Sequence, residues 1–161
     1  MQVNYKKIAN KLKFEGRAFI NGKYVNAIDG KKFETINPAT SEKLCSVAKC
    51  NHKDVDLAVK VSRKAFNSGV WSKSSPEHRK EVLLKFADLL RKHGDENSVL
   101  ECVDTGKLIA DCINEVANDA PMHFQWYGEL IDKVFGKVGP TEPSITSLIV
   151  KEPIGVIAGI V

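Results

Sequence analysis

The chain has 161 residues and a net charge of +4, with 43% hydrophobic and 27% charged residues. This is ordinary soluble globular composition, and it excludes a low-complexity chain. No stretch reaches the roughly 18 apolar residues that a membrane-spanning helix requires. Four cysteines in a chain whose first residues lack the apolar core of a signal peptide indicate reduced thiols. We therefore predict a cytoplasmic protein without a membrane partner.

Residues 1–17 form a polar leader that carries part of the positive charge and a few apolar residues at helical spacing. A nucleic-acid-binding arm would usually interleave its basic residues with aromatic ones, and only Tyr5 and Phe14 lie nearby. We predict a solvated amphipathic arm and no nucleic-acid partner. The basic residues concerned are Lys6, Lys7, Lys11, Lys13 and Arg17.

Residues 18–50 predict a small antiparallel β unit. Short apolar stretches alternate with turn signals, and the strongest of these, Asn-Gly, is typical of a two-residue hairpin. Alternation over 33–36 and an apolar run at 44–48 predict two further strands. The predicted turns are Asn21-Gly22, Asp29-Gly30 and Asn37-Pro38.

Residues 51–139 have the period of amphipathic helices. Asn51 is suited to cap the first helix, and Gly69 to end it. Ser75-Pro76 is a cap followed by a first-turn proline, and it begins a second helix. We expect an interruption at His93-Gly94 and a stop at Gly106.

A third helical stretch runs from about residue 108 to residue 135. Pro121 removes a backbone donor within it, so we expect a bend or interruption there. The apolar residues predicted to face inward are Val55, Val59 and Phe66 on the first helix, Val82, Phe86, Leu89 and Leu90 on the second, and Ile113, Val116, Phe124, Tyr127 and Ile131 on the third.

Residues 140–153 predict a loop and a bridging strand, and residues 154–161 predict a strand buried on both faces. Pro153 marks the entry to that strand, because proline gives no N–H to a β ladder. A buried parallel strand needs neighbours and a crossover helix. We therefore expect an α/β protein cut at the first strand of its main sheet. The alternative is a complete small protein whose terminal strand pairs within itself or with a second chain.

The cysteines do not form a convincing site by spacing. Cys45, Cys50 and His52 lack the pairing of a zinc site. Cys102 and Cys112 have no base placed beside them, so buried thiols are the better interpretation. Two other motifs also fail, since a single Asp-Thr-Gly is not the paired loop of an aspartic protease and no G-x-G-x-x-G is present.

Acidic residues recur every four positions in the third helical stretch, at Asp111, Glu115 and Asp119. Such a stripe is typically a solvated helix face. Residue chemistry alone therefore indicates a soluble α/β segment without a self-contained active site.

The collected motifs resemble the N-terminal part of the NAD(P)-dependent aldehyde dehydrogenase superfamily. The match covers nearly the whole chain after residue 17, and its collective spacing is more specific than any single motif. The matching stretches are 19–22, 33–40, 54–59, Trp71, 101–107, 126–128 and 151–157. Residues 71–80 and 126–134 are similar to bacterial gamma-glutamyl-gamma-aminobutyraldehyde dehydrogenases of putrescine breakdown.

The resemblance implies oxidation of an aldehyde to a carboxylic acid with NAD or NADP. In this family a cysteine thiolate attacks the aldehyde, an oxyanion hole holds the adduct, and a glutamate activates water. The resemblance places that cysteine and glutamate beyond these 161 residues, so we expect the isolated chain to be inactive. It also implies that the β unit at residues 18–50 takes part in subunit assembly and that the parent is a homodimer or homotetramer. The alternative is a non-catalytic interaction module that pairs with a partner chain.

The resemblance also assigns roles to individual positions. Val161 matches a residue beside the adenosine side of the cofactor. Thr35, Ile36 and Asp104 match positions that hold a structural monovalent cation, and oxygen ligands suit such a hard ion. The alternative for Asp104 is a helix-terminal turn residue. Asp119 matches the substrate-entrance position, where a carboxylate attracts the ammonium group of an aminoaldehyde.

Overall fold

A computed structural model describes residues 3–160, and its elements follow the predicted order of strands, helices and strands. The helices are α1 (Tyr5–Ala9), α2 (His52–Ser68), α3 (Pro76–Lys92), α4 (Gly94–Thr105), α5 (Ile109–Cys112), the π-helical segment Ile113–Asp119, α6 (Ala120–Leu130) and the 3₁₀ turn Ile131–Lys133. The strands are β1 (Ala18–Ile20), β2 (Lys23–Val25), β3 (Lys32–Ile36), β4 (Lys43–Ala48), β5 (Lys137–Gly139) and β6 (Ser147–Ile149).

The front of the chain forms two separate two-stranded antiparallel sheets, β1–β2 and β3–β4. Asn21 and Gly22 both have positive φ, 55° and 73°, as a tight hairpin turn between twisted strands requires. The leader contributes one backbone contact to β4, since Ala48 N–H donates to the Gly16 carbonyl at 2.7 Å. The predicted hairpin and turns are thus confirmed.

The predicted caps of α2, α3 and α4 are confirmed. Asn51 and Asp54 form a reciprocal capping box at the start of α2, and Gly69 ends that helix at φ 77°. Ser75 accepts from His78 N–H at the start of α3. The interruption at His93 separates α3 from α4, which ends at Gly106.

The packed part of the helical layer is formed mainly by α3 against α6. Ala87 is completely buried, and the Phe86 and Phe124 rings meet edge to face with centroids 4.7 Å apart. Several predicted inward side chains are instead substantially exposed, namely Val55 and Val59 on α2 and Val82, Phe86 and Leu89 on α3. That prediction was wrong for α2 because little of the described chain packs on it, and on α3 the contact with α6 leaves Val82, Phe86 and Leu89 only partly covered.

The third helical stretch is interrupted before Pro121, as expected, but in a form that the periodicity did not predict. Residues 113–119 are π-helical, and Ala120 N–H donates to the Glu115 carbonyl five residues earlier. The wide turn ends next to Pro121, which has no N–H to give. Tyr127 is 58% exposed, so its predicted inward position is wrong. The helix ends at Lys133, two residues earlier than predicted.

The end of the chain differs from the prediction in two ways. Strand β5 lies at the end of residues 51–139, for which no strand was predicted, and it pairs antiparallel with β6. Residues 154–160 form no strand, and Ile154 and Ile160 are 91% and 98% exposed. The reason is that no strand of the described chain lies beside them to complete a ladder. The proposed division into units 1–17, 18–50, 51–139, 140–153 and 154–161 stays a prediction.

Within residues 3–160, no helix combines the length and the apolar character needed to cross a lipid bilayer.

Candidate cation and substrate-entrance positions

The end of α4 lies against the turn that joins β3 to β4. Gly106 adopts a left-handed conformation with φ 75°, and a Cβ built there would lie 2.8 Å from Cγ of Pro38. Glycine is therefore required at this position both by its backbone angle and by the close approach of Pro38. This contact brings the helix end that carries Asp104 next to β3.

Thr35 and Asp104, two of the three predicted cation positions, are hydrogen-bonded to each other. The Thr35 hydroxyl donates to Oδ1 of Asp104 at 3.2 Å. The strand register shifts between Thr35 and Ile36, so the β3–β4 ladder is locally disrupted there. A carboxylate, a hydroxyl and backbone carbonyls at a disrupted ladder form an all-oxygen donor set, which fits a hard cation. The cation role of these residues stays a prediction.

A group of ion pairs lies directly after the contact between the end of α4 and the β3–β4 turn, and no sequence pattern predicted it. Nζ of Lys107 lies 2.7 Å from the Glu115 carboxylate and 3.5 Å from the Glu101 carboxylate. The hydrogen bond to Glu115 raises the pKa of Lys107 above its usual range. The predicted acidic stripe is therefore not uniform, because Glu115 is engaged by a cation.

Asp119, the predicted substrate-entrance residue, is the last residue of the π-helical segment and is exposed. Its backbone carbonyl accepts a hydrogen bond from Nδ1 of His123 at 2.8 Å. Two turns further along, in α6, Trp126 and Tyr127 are also exposed, and their rings meet edge to face at 4.9 Å. A carboxylate and the faces of aromatic rings are each groups that favour a cation. The entrance role of Asp119 stays a prediction.

Val161, the predicted cofactor contact, lies outside the described residues. Residues 154–160, which precede it, form no strand in the described chain. Nη1 of Arg63 would lie 3.0 Å from a Cβ at Gly155, so the backbone there is approached by a side chain.

The cysteines of the described chain are all unpaired. Burial raises the pKa of the Cys112 thiol, and burial also raises that of Cys50, with a further contribution from Asp54. A raised pKa lowers the thiolate fraction, which is opposite to what a nucleophile needs. Among residues 3–160, no cluster of three or more His, Cys, Asp and Glu side chains could hold a metal ion.

Comparison with known proteins gives a match over most of the chain. The model of the aldehyde dehydrogenase family matches residues 24–161. The chain is 43% identical over 150 residues to the NADP/NAD-dependent aldehyde dehydrogenase PuuC of Escherichia coli, covering 93% of this chain and 30% of that protein. It is 39% identical over 153 residues to an aminoacetaldehyde dehydrogenase of Pseudomonas aeruginosa, covering 95% and 31%.

Among solved structures, the chain is similar to gamma-glutamyl-gamma-aminobutyraldehyde dehydrogenase from Burkholderia cenocepacia. The TM-score is 0.83 at 41% sequence identity, over 86% of this chain and 28% of that structure. This neighbour confirms the resemblance that the sequence motifs indicated, including that to the gamma-glutamyl-gamma-aminobutyraldehyde enzymes. The chain spans about 30% of the length of the curated relatives it matches.

Proposed function

Because the chain belongs to the aldehyde dehydrogenase family, we propose that it serves as a segment of an enzyme that oxidises an aldehyde to the carboxylic acid with NAD or NADP. The observation that carries this proposal is the family match over residues 24–161. The dinucleotide would accept the hydride in that reaction. The described residues supply the surface around the entrance and the helical layer, and no chemical step is assigned to them.

The proposed substrate is an aminoaldehyde of the kind formed in polyamine and putrescine breakdown. Asp119 presents an exposed carboxylate about two turns before the exposed aromatic pair Trp126–Tyr127, and such a surface attracts an ammonium group. A gamma-glutamylated substrate has its amine blocked, so this surface favours a free aminoaldehyde. The name of the aminoacetaldehyde dehydrogenase relative supports the same substrate class.

A structural monovalent cation is proposed at Thr35, Ile36 and Asp104, where β3 meets the end of α4. The 3.2 Å hydrogen bond between Thr35 and Asp104 supports it, because both oxygens point into one small region. Replacing sodium and potassium with a bulky organic cation should lower the melting temperature of the chain. Asp104→Asn should remove that salt-specific effect. An effect that is unchanged in the variant would contradict the assignment.

The parent enzyme is proposed to be a cytoplasmic homodimer or homotetramer. The unpaired cysteines of the described chain support a reducing compartment. The family resemblance of the early β unit to a subunit-assembly element supports the oligomer.

A second candidate, a non-catalytic module that pairs with a partner chain, is favoured by the exposed apolar residues of α2 and of residues 154–160. It predicts a stable complex without enzymatic activity. The enzyme proposal predicts activity as soon as the catalytic part is supplied, so the two are separated by one assay.

That assay compares two proteins. In the first, residues 24–161 replace the matching segment of the E. coli relative, and in the second, the 161-residue chain stands alone. Reduction of NAD or NADP with an aminoaldehyde is followed by absorbance. We expect turnover by the hybrid enzyme and none by the isolated chain. A folded but inactive hybrid would overturn the proposal, and turnover by the isolated chain would overturn its predicted inactivity.

A further inference from the structure

We propose that the π-helical segment Ile113–Asp119 is a positioning element that turns the Asp119 carboxylate outward, toward an incoming cationic aldehyde. The part that concerns the substrate rests on the proposed function. The geometric part rests on which residues of this stretch are buried. Cys112, Pro121 and Gly128 are all buried, whereas Asp119 is exposed.

These three buried residues could not share a side on an unbroken α-helix. At about 100° per residue, Cys112 would face about 180° away from Pro121 and about 160° away from Gly128. A π turn takes up one residue more than an α turn, because its hydrogen bonds reach one residue further. That extra residue reduces the two angles to about 80° and 60°. The π-helical segment thus brings both ends of the stretch into register with the core.

Contacts at each end of the stretch from Cys112 to Gly128 show which elements hold it in place. The Ser98 hydroxyl, itself fully buried, donates to the Cys112 carbonyl at 3.2 Å. At the other end, a Cβ at Gly128 would lie 3.2 Å from Cβ of Leu83 on α3. One end of the stretch is therefore packed on α4 and the other on α3, and the turn between them absorbs the mismatch.

The same turn decides where Asp119 points. If the α-helix of α5 continued, Asp119 would face the same side as Cys112, within about 20°, and its carboxylate would be directed into the protein. With the extra residue, Asp119 lies about 120° away from Cys112, which is the exposed position observed. An inward carboxylate would lose its water and could not meet a substrate.

Two single-residue deletions separate orientation from packing. Both remove the extra residue and keep Cys112 in register with Gly128. Deleting Asn118, before Asp119, keeps Asp119 about 120° from Cys112, whereas deleting Ala120, after it, returns Asp119 to the Cys112 side. Both deletions are combined with Pro121→Ala, because a proline inside a regular α-helix clashes with the preceding turn.

The first readout is thiol labelling of the 161-residue chain. The chains carry Asp119→Cys and Pro121→Ala, and Cys112 is kept as the reporter of packing. The other cysteines are replaced through Cys45→Ser, Cys50→Ser and Cys102→Ser. A thiol at position 119 is small enough to be tolerated on either side. Labelling rates at the two positions are read by mass spectrometry of peptides.

In the undeleted chain and in the chain lacking Asn118, we expect position 119 to react at least about tenfold faster than Cys112. In the chain lacking Ala120, the rate at position 119 should fall by at least about tenfold, with Cys112 still protected. Equal reactivity of position 119 in the two deletion chains would overturn the proposal. Loss of Cys112 protection in any of the three chains would also overturn it.

The second readout is kinetic and uses the hybrid enzyme with Asp119 present. The ratio of kcat/KM for an ammonium-bearing aldehyde to kcat/KM for a neutral aldehyde of similar length is compared among variants. Asp119→Asn should lower this ratio about two- to fivefold, as for the loss of one exposed charge contact. The variant lacking Ala120 should match Asp119→Asn, and the variant lacking Asn118 should match the parent.

Each readout tests a different part of the proposal. If Asp119→Asn leaves the kcat/KM ratio of the hybrid enzyme unchanged, the aminoaldehyde proposal is overturned. The labelling result would still decide the geometry. A ratio that falls in Asp119→Asn but is retained without Ala120 would overturn the positioning role itself.

Discussion

Asp54 joins the β unit to the helical layer through a single buried carboxylate. Asp54 is 3% exposed, and its two carboxylate oxygens accept hydrogen bonds from Ile28 N–H and Asn51 N–H, each at 2.9 Å. Asp54→Ala removes the Asp54 half of the capping box and leaves the Ile28 donor without its partner. We expect the free energy of unfolding to fall by about 2 to 3 kcal/mol, as measured by urea denaturation.

The matched control for Asp54 is Asp56→Ala, on the same helix. Asp56 is exposed, so its removal should change the free energy of unfolding by less than about 0.5 kcal/mol. Equal losses in the two variants would show that the effect belongs to helix charge and not to the buried hydrogen bonds.

Asp132 should make stability depend on pH in the acid range. Hydrogen bonds from Lys133 and Lys80 lower its pKa to about 2, against about 3.9 in the unfolded chain. Its contribution is therefore present above about pH 4 and is lost as the pH falls through 2. Asp132→Asn should lower the melting temperature at pH 7 slightly, because the group is in water, and should have a smaller effect at pH 2. A difference of the same size at both pH values would contradict this role of Asp132.

At the scale of elements, the contact between the end of α4 and the β3–β4 turn is tested by two glycines of similar conformation. Gly106 and Gly30 have φ of 75° and 70°, but only Gly106 is approached closely, by Pro38 at 2.8 Å. Gly30→Ala should cost about 1 kcal/mol for the left-handed backbone alone. Gly106→Ala should cost at least about 1 kcal/mol more, because Pro38 must move.

Thermal or urea unfolding of both variants measures this difference in free energy. Adding Pro38→Ala to Gly106→Ala should recover most of the extra loss, since it removes the atom that the new Cβ meets. If the two glycine variants lose equal stability, the joint does not depend on the Pro38 contact.

Local signals predicted most of these elements, and long-range packing explains the rest. Asn51, Ser75 and Gly106 act on backbone groups within a few residues of themselves, so their sequence context was sufficient. The π-helical segment was not predictable from a period of 3.6 residues, because its cause is packing of the two helix ends on different partners. Predicted inward residues such as Val59 stayed exposed for a similar reason, since burial requires a neighbour that local sequence does not supply.

The candidate site residues also divide into those that the sequence indicated and those that only the fold reveals. Motif spacing identified Thr35, Ile36 and Asp104 through resemblance, and the fold places the Thr35 and Asp104 side chains in contact. The ion pairs of Lys107 join residues from two helical elements, and no short-range pattern indicated them. The acidic stripe predicted that Asp119 would be exposed, but nothing in the sequence alone showed that it would end a π-helical segment.

At the scale of the whole molecule, the chain exposes far more surface than its length requires. Its accessible surface is 12554 Å², whereas a compact monomer of this length exposes about 8,000 Å². The excess of about 4,500 Å² on one chain is larger than the about 1,000 to 2,500 Å² that each partner contributes to a large obligate interface. Much of it is apolar, and the buried hydrophobic residues are only Ala27, Ala48, Ala87, Val99 and Cys112 within the described chain.

We therefore expect the isolated chain to bind a dye for apolar surface more strongly than a compact monomer of equal length does. A polypeptide containing the remaining part of the E. coli relative should lower that fluorescence and form a complex with the chain. Val59 on α2 is 49% exposed, and Val59→Asp should weaken the complex while changing the unfolding free energy by less than about 0.5 kcal/mol. Dye binding no stronger than that of the compact monomer would mean that the excess surface is closed by rearrangement within the chain itself.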